Sequence, residues 1–295
     1  MTLKRKTKKY IFVAGMLVVP VASFIIFWGV VNVNSILLAF KRLEISTGLE
    51  YYTVQNFQSI PALFSKYGAL RIAIQNTLLT WVFLMFLLPW SFFLTYFIYK
   101  KICLSGLWRI MLFVPSLMPA VAMTSIFMYI IYPAAPVGML FKKILGSAPP
   151  FLSDTKYARW TVIIYMFWAN FGGSFVLISG AMARIPKEML ESANIDGAGL
   201  RIEMLKIVLP LCWPTLSMIV LLNTTGIFTA SGPILLLTGG KYDSQTVSFW
   251  IFDQIMNYRN YYIASAAGLI FTVVLFPIVL LTRWGLGKVY ADVEF

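Results

Sequence analysis

The chain has 295 residues, of which 60% are apolar and only 12% are charged. A soluble domain carries roughly 25% charged residues, so this composition excludes an ordinary soluble protein and indicates an integral membrane protein. The net charge of +13 could favour nucleic acid, but the basic residues lie between long apolar runs, where the positive-inside rule explains them. We therefore expect no nucleic-acid partner and expect the lipid bilayer to surround the chain.

Six long runs without Asp, Glu, Lys or Arg predict the architecture. The predicted spans are 10–33, 72–99, 110–132, 160–183, 207–237 and 260–282. Each covers the ~20 residues that a helix needs to cross ~30 Å of hydrocarbon. Strands of a membrane barrel would show alternating segments of about 10 residues, and the sequence has none. These runs predict an all-α integral membrane protein with six transmembrane helices in a single domain, 10–290.

Basic residues predict the orientation. Five of the first nine residues are Lys or Arg, which predicts that the tail 1–9 lies in the cytoplasm. Six crossings then return the C-terminal tail 291–295 to the same side and place the connection 184–206 there as well. The apolar run at 10–33 is longer than a signal-peptide core and lacks a following A-x-A-like site. We interpret it as a retained first helix rather than a cleaved signal peptide.

Two prolines share one helical face of the third predicted span. Pro115 and Pro119 each remove a backbone donor, and a packed bundle tolerates such a loss because neighbouring helices can satisfy the freed carbonyl. The pair predicts a bend that shapes a cavity.

The residues that are missing exclude several activities. The predicted spans hold no Asp, Glu, Lys, Arg or His, which disfavours a proton-coupled or sodium-coupled carrier. The chain has no histidine and no GxxxxGK[ST] phosphate loop, and Cys103 and Cys212 lie too far apart for a CxxC site. We predict a non-catalytic protein without a metal or cofactor of its own. Uphill transport would then need energy from a separate subunit.

The connection between the fourth and fifth spans predicts a compact helix–turn–helix. Pro186 suits the first turn of a helix, and 187–194 can form that helix. Gly197 and Gly199 tolerate positive φ and end it, and a second segment from Leu200 leads into the next span. The residues alone leave two interpretations open: an interfacial loop without a partner, or a surface on which another protein docks.

The same connection resembles the signature loop of binding-protein-dependent ABC importer permeases, which reads E-A-A, three residues, G, nine residues, I-x-L-P. The matching residues are Glu191, Ser192, Ala193, Gly197, Ile207, Leu209 and Pro210. The spacing is fully kept, and the serine in place of the first alanine is still small. On these residues, the chain resembles a permease subunit of this family.

Further segments resemble the carbohydrate branch of these permeases, of the type of the larger membrane subunit of maltose transporters. These segments are Asn76-Thr-Leu-Leu, Phe113-Val-Pro-Ser-Leu-Met-Pro, Leu236-Leu-Thr-Gly-Gly and Ala264-Ser-Ala-Ala-Gly. Such relatives often have Gly-Pro after the Thr-Gly-Gly, where this chain has Lys241 and Tyr242. The resemblance covers the chain from Asn56 to its C-terminus.

The resemblance implies partners and a set of coupling residues. It implies a heterodimer with a second, homologous permease in a bacterial or archaeal cell membrane, a dimer of ATPase subunits that bind ATP and Mg, and an extracellular solute-binding protein. ATPase coupling falls on residues in and after the loop: Glu188, Glu191, Ser192, Ala193, Asp196, Gly197, Gly199, Ile207, Leu209 and Pro210.

Two groups of residues are candidates for binding a sugar-like solute. The fourth span offers Met166, Trp168, Asn170 and Gly173, and the fifth offers Asn223, Thr224, Ile227 and Phe228. Each buried Asn could instead form an interhelical hydrogen bond. The resemblance favours the solute, because such permeases hold the sugar between these two helices.

The absence of cationic side chains from the predicted spans favours a neutral sugar or oligosaccharide over an anionic one. The predicted function is a permease subunit that forms half of the translocation pathway. Two alternatives remain, an ion-independent facilitator or secondary carrier and a non-transporting membrane scaffold. Trp81 and Trp250 are interpreted as residues of the interfacial aromatic belt.

Overall fold

The computed structural model describes residues 5–44, 48–66, 68–229 and 231–289. The predicted tail 291–295 and the first four residues of the tail 1–9 lie outside this description.

Helices dominate the described residues. In chain order they are α1 Arg5–Ser23, α2 Val31–Ala39, α3 Gln55–Lys66, α4 Ala69–Tyr99, α5 Ser105–Leu117, α6 Ala120–Ile131, α7 Pro136–Leu145, α8 Thr155–Met182, α9 Lys187–Ile195, α10 Leu200–Ile202, α11 Leu209–Thr225, α12 Gly232–Leu237, α13 Val247–Met256 and α14 Tyr261–Val289. Two π-helical segments, Phe24–Val30 and Glu203–Val208, and a 3₁₀ turn, Gly226–Phe228, join some of them. Two short strands, β1 Lys41–Leu43 and β2 Glu50–Tyr52, form an antiparallel hairpin.

Six stretches are long and apolar enough to cross a membrane. They are Thr7–Ala39, Ala69–Tyr99, Ala120–Ile144, Thr155–Met182, Leu200–Phe228 and Tyr261–Val289. The prediction of an all-α membrane protein with six transmembrane helices is confirmed. Most of these helices begin or end beyond the charge-free runs, because Lys and Arg at a helix end can extend their charged groups towards the headgroups.

The third predicted span, 110–132, is not one helix. Helix α5 ends at Leu117, and the backbone is extended at Met118 and Pro119, each with ψ 141°, before α6 begins. Proline lacks the N–H that would continue the helix, and it also favours an extended conformation in the residue before it. The structure thus shows a break where the sequence predicted a bend.

The fifth predicted span, 207–237, also differs from the structure. The helix already begins at Leu200, inside the stretch predicted as the connection 184–206, and it continues through a π-helical segment. It ends at Phe228 in a 3₁₀ turn, and Gly232–Leu237 is a separate short helix.

The described residues form two compact units, one drawn from 1–63 and 253–272 and the other from 64–252 and 273–295. In the first unit, the most apolar window of the first span has no buried residue. The Lys41 ammonium lies 3.0 Å from the Glu50 carboxylate in the hairpin. This hydrogen bond, followed by one from the Tyr262 hydroxyl, lowers the pKa of Glu50 below its ordinary value.

The second unit contains the packed helices α4, α5, α6, α8, α9 and α11. Helix α8 begins at a capping residue, Asp154, whose side chain accepts a hydrogen bond of 2.7 Å from the backbone N–H of Lys156. Its long buried face contributes to all of the unit's described hydrophobic clusters. Both candidate functional regions described next lie against this helix or follow it.

Candidate functional site

The first candidate region, which we call the signature region, consists of helix α9 and the residues packed beneath it. Pro186 lies just before this helix, and Gly197 follows it with a φ of +79°, a conformation that favours glycine. Gly199 has a φ of −68° in an extended conformation, so it does not use the positive φ that the sequence predicted for it. The turn therefore depends on Gly197.

Helix α9 is anchored on one side and exposed on the other. Leu190 and Ala193 are each only 9% exposed. The other predicted coupling residues of the helix and turn are exposed: Glu188, Glu191, Ser192, Asp196, Gly197 and Gly199. This arrangement fixes the helix on the bundle and leaves an acidic face with small residues open on its surface.

The base beneath the helix is a large hydrophobic cluster. It joins residues of four helices, the turn between α8 and α9, and the π-helical segment: Leu88, Phe92, Tyr96, Ile178, Ala181, Met182, Ile185, Leu190, Met204, Val208, Cys212, Leu216 and Ile219. The predicted coupling residues Ile207 and Leu209 are half-buried against this cluster, and Pro210 lies at the start of α11. These three are packing residues rather than part of the exposed face.

A buried acidic residue at this base is absent from the sequence prediction. Glu203 is 1% exposed, and its carboxylate lies 2.8 Å from the Lys100 ammonium and 3.2 Å from the Tyr96 hydroxyl. No local signal predicts this contact, because Lys100 lies 103 residues away along the chain.

The second candidate region, which we call the cavity region, lies between α5, α6 and α8. Its cavity has a volume of about 270 Å³. The lining residues are Pro115, Ser116, Met118, Ala120, Met123, Tyr165, Met166, Ala169, Asn170, Gly173 and Pro233. The break after α5 thus forms one wall, and three predicted solute residues, Met166, Asn170 and Gly173, lie on the opposite one.

The polar groups at this cavity are neutral. The Asn170 amide nitrogen donates a hydrogen bond of 2.7 Å to the Met166 carbonyl oxygen, which uses one of its two donors. The Thr124 and Tyr165 hydroxyls are 2.9 Å apart. The predicted residue Trp168 is half-buried beside the cavity, with its ring centroid 5.9 Å from that of Phe127.

The predicted solute residues of the fifth span do not line this cavity. Thr224 is fully buried, where its hydroxyl donates to Val220 at 2.8 Å and lies 3.4 Å from the Trp81 indole nitrogen. Asn223, Ile227 and Phe228 are half-buried outside the lining. The change from α-helix to 3₁₀ helix at residue 226 alters the face on which the last two lie.

Gly172 lets two helices approach closely beside the cavity. A Cβ atom at this position would lie 2.8 Å from the Leu112 carbonyl oxygen and 2.8 Å from the Ser116 Cβ atom. A Cβ on the neighbouring Gly173 would meet nothing within 4 Å. The sequence does not distinguish these two glycines.

One segment quoted for the family resemblance, Asn76-Thr-Leu-Leu, contacts the residues that follow another, Leu236-Leu-Thr-Gly-Gly. The Asn76 amide donates to the carbonyl oxygens of Asp243 and Gln245, at 2.7 and 2.8 Å. The Thr77 hydroxyl accepts a hydrogen bond of 2.9 Å from the backbone N–H of Val247. The start of α4 therefore holds the loop 238–246 in place.

Trp250, interpreted as a belt residue, is 5% exposed and lies in the packed interior instead.

Among the described residues, no group of three or more His, Cys, Asp or Glu side chains could hold a metal ion.

The sequence matches the family described as binding-protein-dependent transport system inner membrane component over residues 88–289, well over half of the chain. It is 27% identical over 181 residues to a probable ABC transporter permease of Mycoplasma pneumoniae, covering 59% of this chain and 54% of that protein. It is 28% identical over 166 residues to the maltose/maltodextrin transport system permease of Escherichia coli, covering 55% of this chain and 32% of that protein.

The chain thus spans about half the length of the first curated relatives that it matches, and less of the maltose permease. The fold is similar to that of a bacterial ABC transporter involved in the import of the acidic polysaccharide alginate. That likeness has a TM-score of 0.82 at 22% identity and covers 96% of this chain and 98% of the other.

Proposed function

Because the chain belongs to the family of binding-protein-dependent transport system inner membrane components, we propose that it is a permease subunit of an ATP-driven importer. Its cargo in this proposal is a neutral sugar or oligosaccharide. The chain forms half of the translocation pathway and has no catalytic site of its own. Its energy comes from a separate ATPase, which binds the ATP and Mg.

The observation that carries the proposal is the two-sided character of helix α9. Its inner residues, Leu190 and Ala193, are buried, and Leu190 belongs to the hydrophobic cluster, whereas Glu191 and Ser192 remain exposed. A helix fixed in this way can pass on a displacement because it cannot move independently of the spans beneath it. We propose that this face inserts into a cleft of the ATPase, with Glu191 near a basic group.

The cavity region supports a neutral solute. Its lining includes the amide of Asn170 and the hydroxyls of Ser116 and Tyr165, and no charged residue. An acidic sugar would bring carboxylates into a site without a cation to pair with them, which carries a large desolvation cost. Alginate is the cargo of the structural neighbour, and at 22% identity that likeness concerns the fold alone.

The remaining parts of the proposal follow from the resemblance of the signature loop and from the basic residues of the N-terminal tail. A binding protein outside the membrane delivers the solute, and a second, homologous permease completes the pathway as a heterodimer. The N- and C-termini then lie in the cytoplasm, on the side of the ATPase. Nucleotide binding would favour the outward-open state and hydrolysis the inward-open state, through the different contacts that each state makes.

The test is a transporter reconstituted in lipid vesicles from this chain, a second permease and an ATPase that co-purify with it, and an added solute-binding protein. We expect solute uptake to need ATP and the binding protein to stimulate hydrolysis. In the variant Glu191→Lys, insertion should be normal and both activities should be lost. The control is Lys143→Glu, which reverses a charge on an exposed helix outside the signature region.

Two results would contradict the proposal. Uptake by the purified chain without an ATPase would favour a facilitator. Normal assembly with the ATPase but no transport of any sugar, even with a binding protein present, would favour a scaffold.

A further inference from the structure

Glu203 places a carboxylate almost completely out of water. The residue is 1% exposed and lies at the start of the π-helical segment Glu203–Val208. A buried carboxylate carries a large desolvation penalty unless a cation and hydrogen-bond donors compensate it. Its burial therefore needs an explanation in the surrounding structure.

Two groups from the end of α4 compensate this charge. The Lys100 ammonium lies 2.8 Å from one carboxylate oxygen. The Tyr96 hydroxyl lies 3.2 Å from the other and 3.3 Å from the Leu200 carbonyl oxygen, so its single proton is shared between these two acceptors. Both groups come from the second span, and both acceptors lie at the start of the fifth.

The Glu203–Lys100 pair provides a contact between the end of α4 and the segment that follows the turn of the signature region. Between α9 and the fifth span, the chain consists of a short turn around Gly197. Such a turn could absorb a movement of α9 by changing its dihedral angles. The Glu203–Lys100 contact fixes the far side of this turn to the end of the second span. On the near side, Leu190 of α9 belongs to the hydrophobic cluster that also contains residues of the second span.

The helix geometry suits this role. Lys100 directly follows the last residue of α4, where a cation is favoured by the helix dipole. The wider π-helical turn begins at Glu203 itself, and such turns occur frequently at functional positions. The Glu203 side chain is buried, whereas the Lys100 side chain is 25% exposed. Such an ion pair is in general no more stabilising than well-packed apolar residues. Its presence at this junction therefore points to positioning rather than to stability.

We propose that Glu203 and Lys100 form a positioning pair that locks the start of the fifth span to the end of the second. Through this lock, a displacement of α9 moves both spans together. The proposal rests on the proposed function, because it presumes that α9 receives force from an ATPase.

The test measures the number of ATP molecules hydrolysed per solute imported, in the complete transporter reconstituted in vesicles. The variants are Glu203→Gln and Lys100→Met. We expect this ratio to rise at least about fivefold, the lower end of common coupling effects. The double charge exchange Glu203→Lys with Lys100→Glu should return the ratio to within about twofold of the wild type, because the contact is restored in reverse.

The control is Lys101→Met, which removes an adjacent exposed lysine that forms no ion pair within the described part of the chain. An unchanged ratio in both single variants would overturn the positioning role. The role would also be overturned if uptake and ATP hydrolysis both fell by the same factor as the amount of folded protein. A purely structural contact predicts that result. If Glu203→Gln does not accumulate, Lys100→Met and the exchange variant decide the question by the same ratio.

The wild-type transporter separates the two hypotheses. If it shows no binding-protein-stimulated hydrolysis, the proposed function fails and the positioning role fails with it. If it couples normally and the variants couple equally well, only the positioning role fails.

Discussion

The signature region and the cavity region lie in the same unit and are built by opposite means. The signature region combines a hydrophobic cluster with an ion pair whose carboxylate is buried, and only one face of α9 remains open. The cavity region is formed at a broken helix, with neutral polar groups and a glycine contact on its walls. The chain is therefore tightly packed where the proposed function places the ATPase and contains a cavity where it places the solute.

The largest effect is expected from a substitution in the turn of the signature region. The variant Gly197→Pro replaces a φ of +79° by about −65° and removes the N–H that bonds to Asn194 at 3.1 Å. The exposed face of α9 should then be misplaced, and stimulated ATP hydrolysis should fall at least about 100-fold. The matched control is Gly199→Ala, which fits the φ of −68° at that position. Equal losses in both variants would contradict the dependence on Gly197.

A smaller effect is expected where the cavity region meets α5. The variant Gly172→Ala would place a Cβ 2.8 Å from the Leu112 carbonyl oxygen, and such overpacking costs typically about 1–3 kcal/mol. The helices should separate slightly, which lowers the unfolding temperature and the uptake rate. Gly173→Ala, at a cavity position without close neighbours, is the control for stability. Thermal unfolding in detergent compares the two, and equal stabilities would contradict the close contact.

The smallest expected effect concerns which asparagine contacts the solute. The variant Asn170→Leu removes a neutral hydrogen-bonding group from the cavity lining, and its loss should raise the KM for uptake about tenfold. Asn223→Leu changes the same residue type outside the lining, so we expect less than about a twofold change there. Uptake measured against solute concentration checks both. A larger effect at Asn223 would place the solute at the fifth span.

The helices and the family could be predicted because their signals are local. Uncharged runs of about 20 residues can cross hydrocarbon only with their backbone groups paired, and the six helices are confirmed. The spacing of Glu191, Gly197 and Pro210 indicated the family, and the match over 88–289 confirms it. The roles assigned to the coupling and solute residues stay predictions.

The missed features depend on contacts between distant parts of the chain. In the sequence, Glu203 belongs to a charged connection and looks solvated, and only the fold reveals Lys100 beside it. The sequence does not distinguish Gly172 from Gly173, and only the packing of α5 against Gly172 shows that they differ. Ile227 also lies on a different face from the one that a continuous α-helix would give it, because the helix becomes 3₁₀ one residue earlier. Burial and helix type at these points are set by tertiary packing.

The break at Met118 and Pro119 has a consequence for how the chain enters the bilayer during synthesis. Helix α5 has 13 residues, which gives it a length of about 20 Å, short of the ~30 Å of hydrocarbon. Its broken end leaves backbone groups that lipid cannot satisfy. Stable insertion of this segment should therefore wait until α8 has emerged and offers the surface at Gly172. In this order of insertion, α8 would provide the surface on which α5 packs, although α5 is made first.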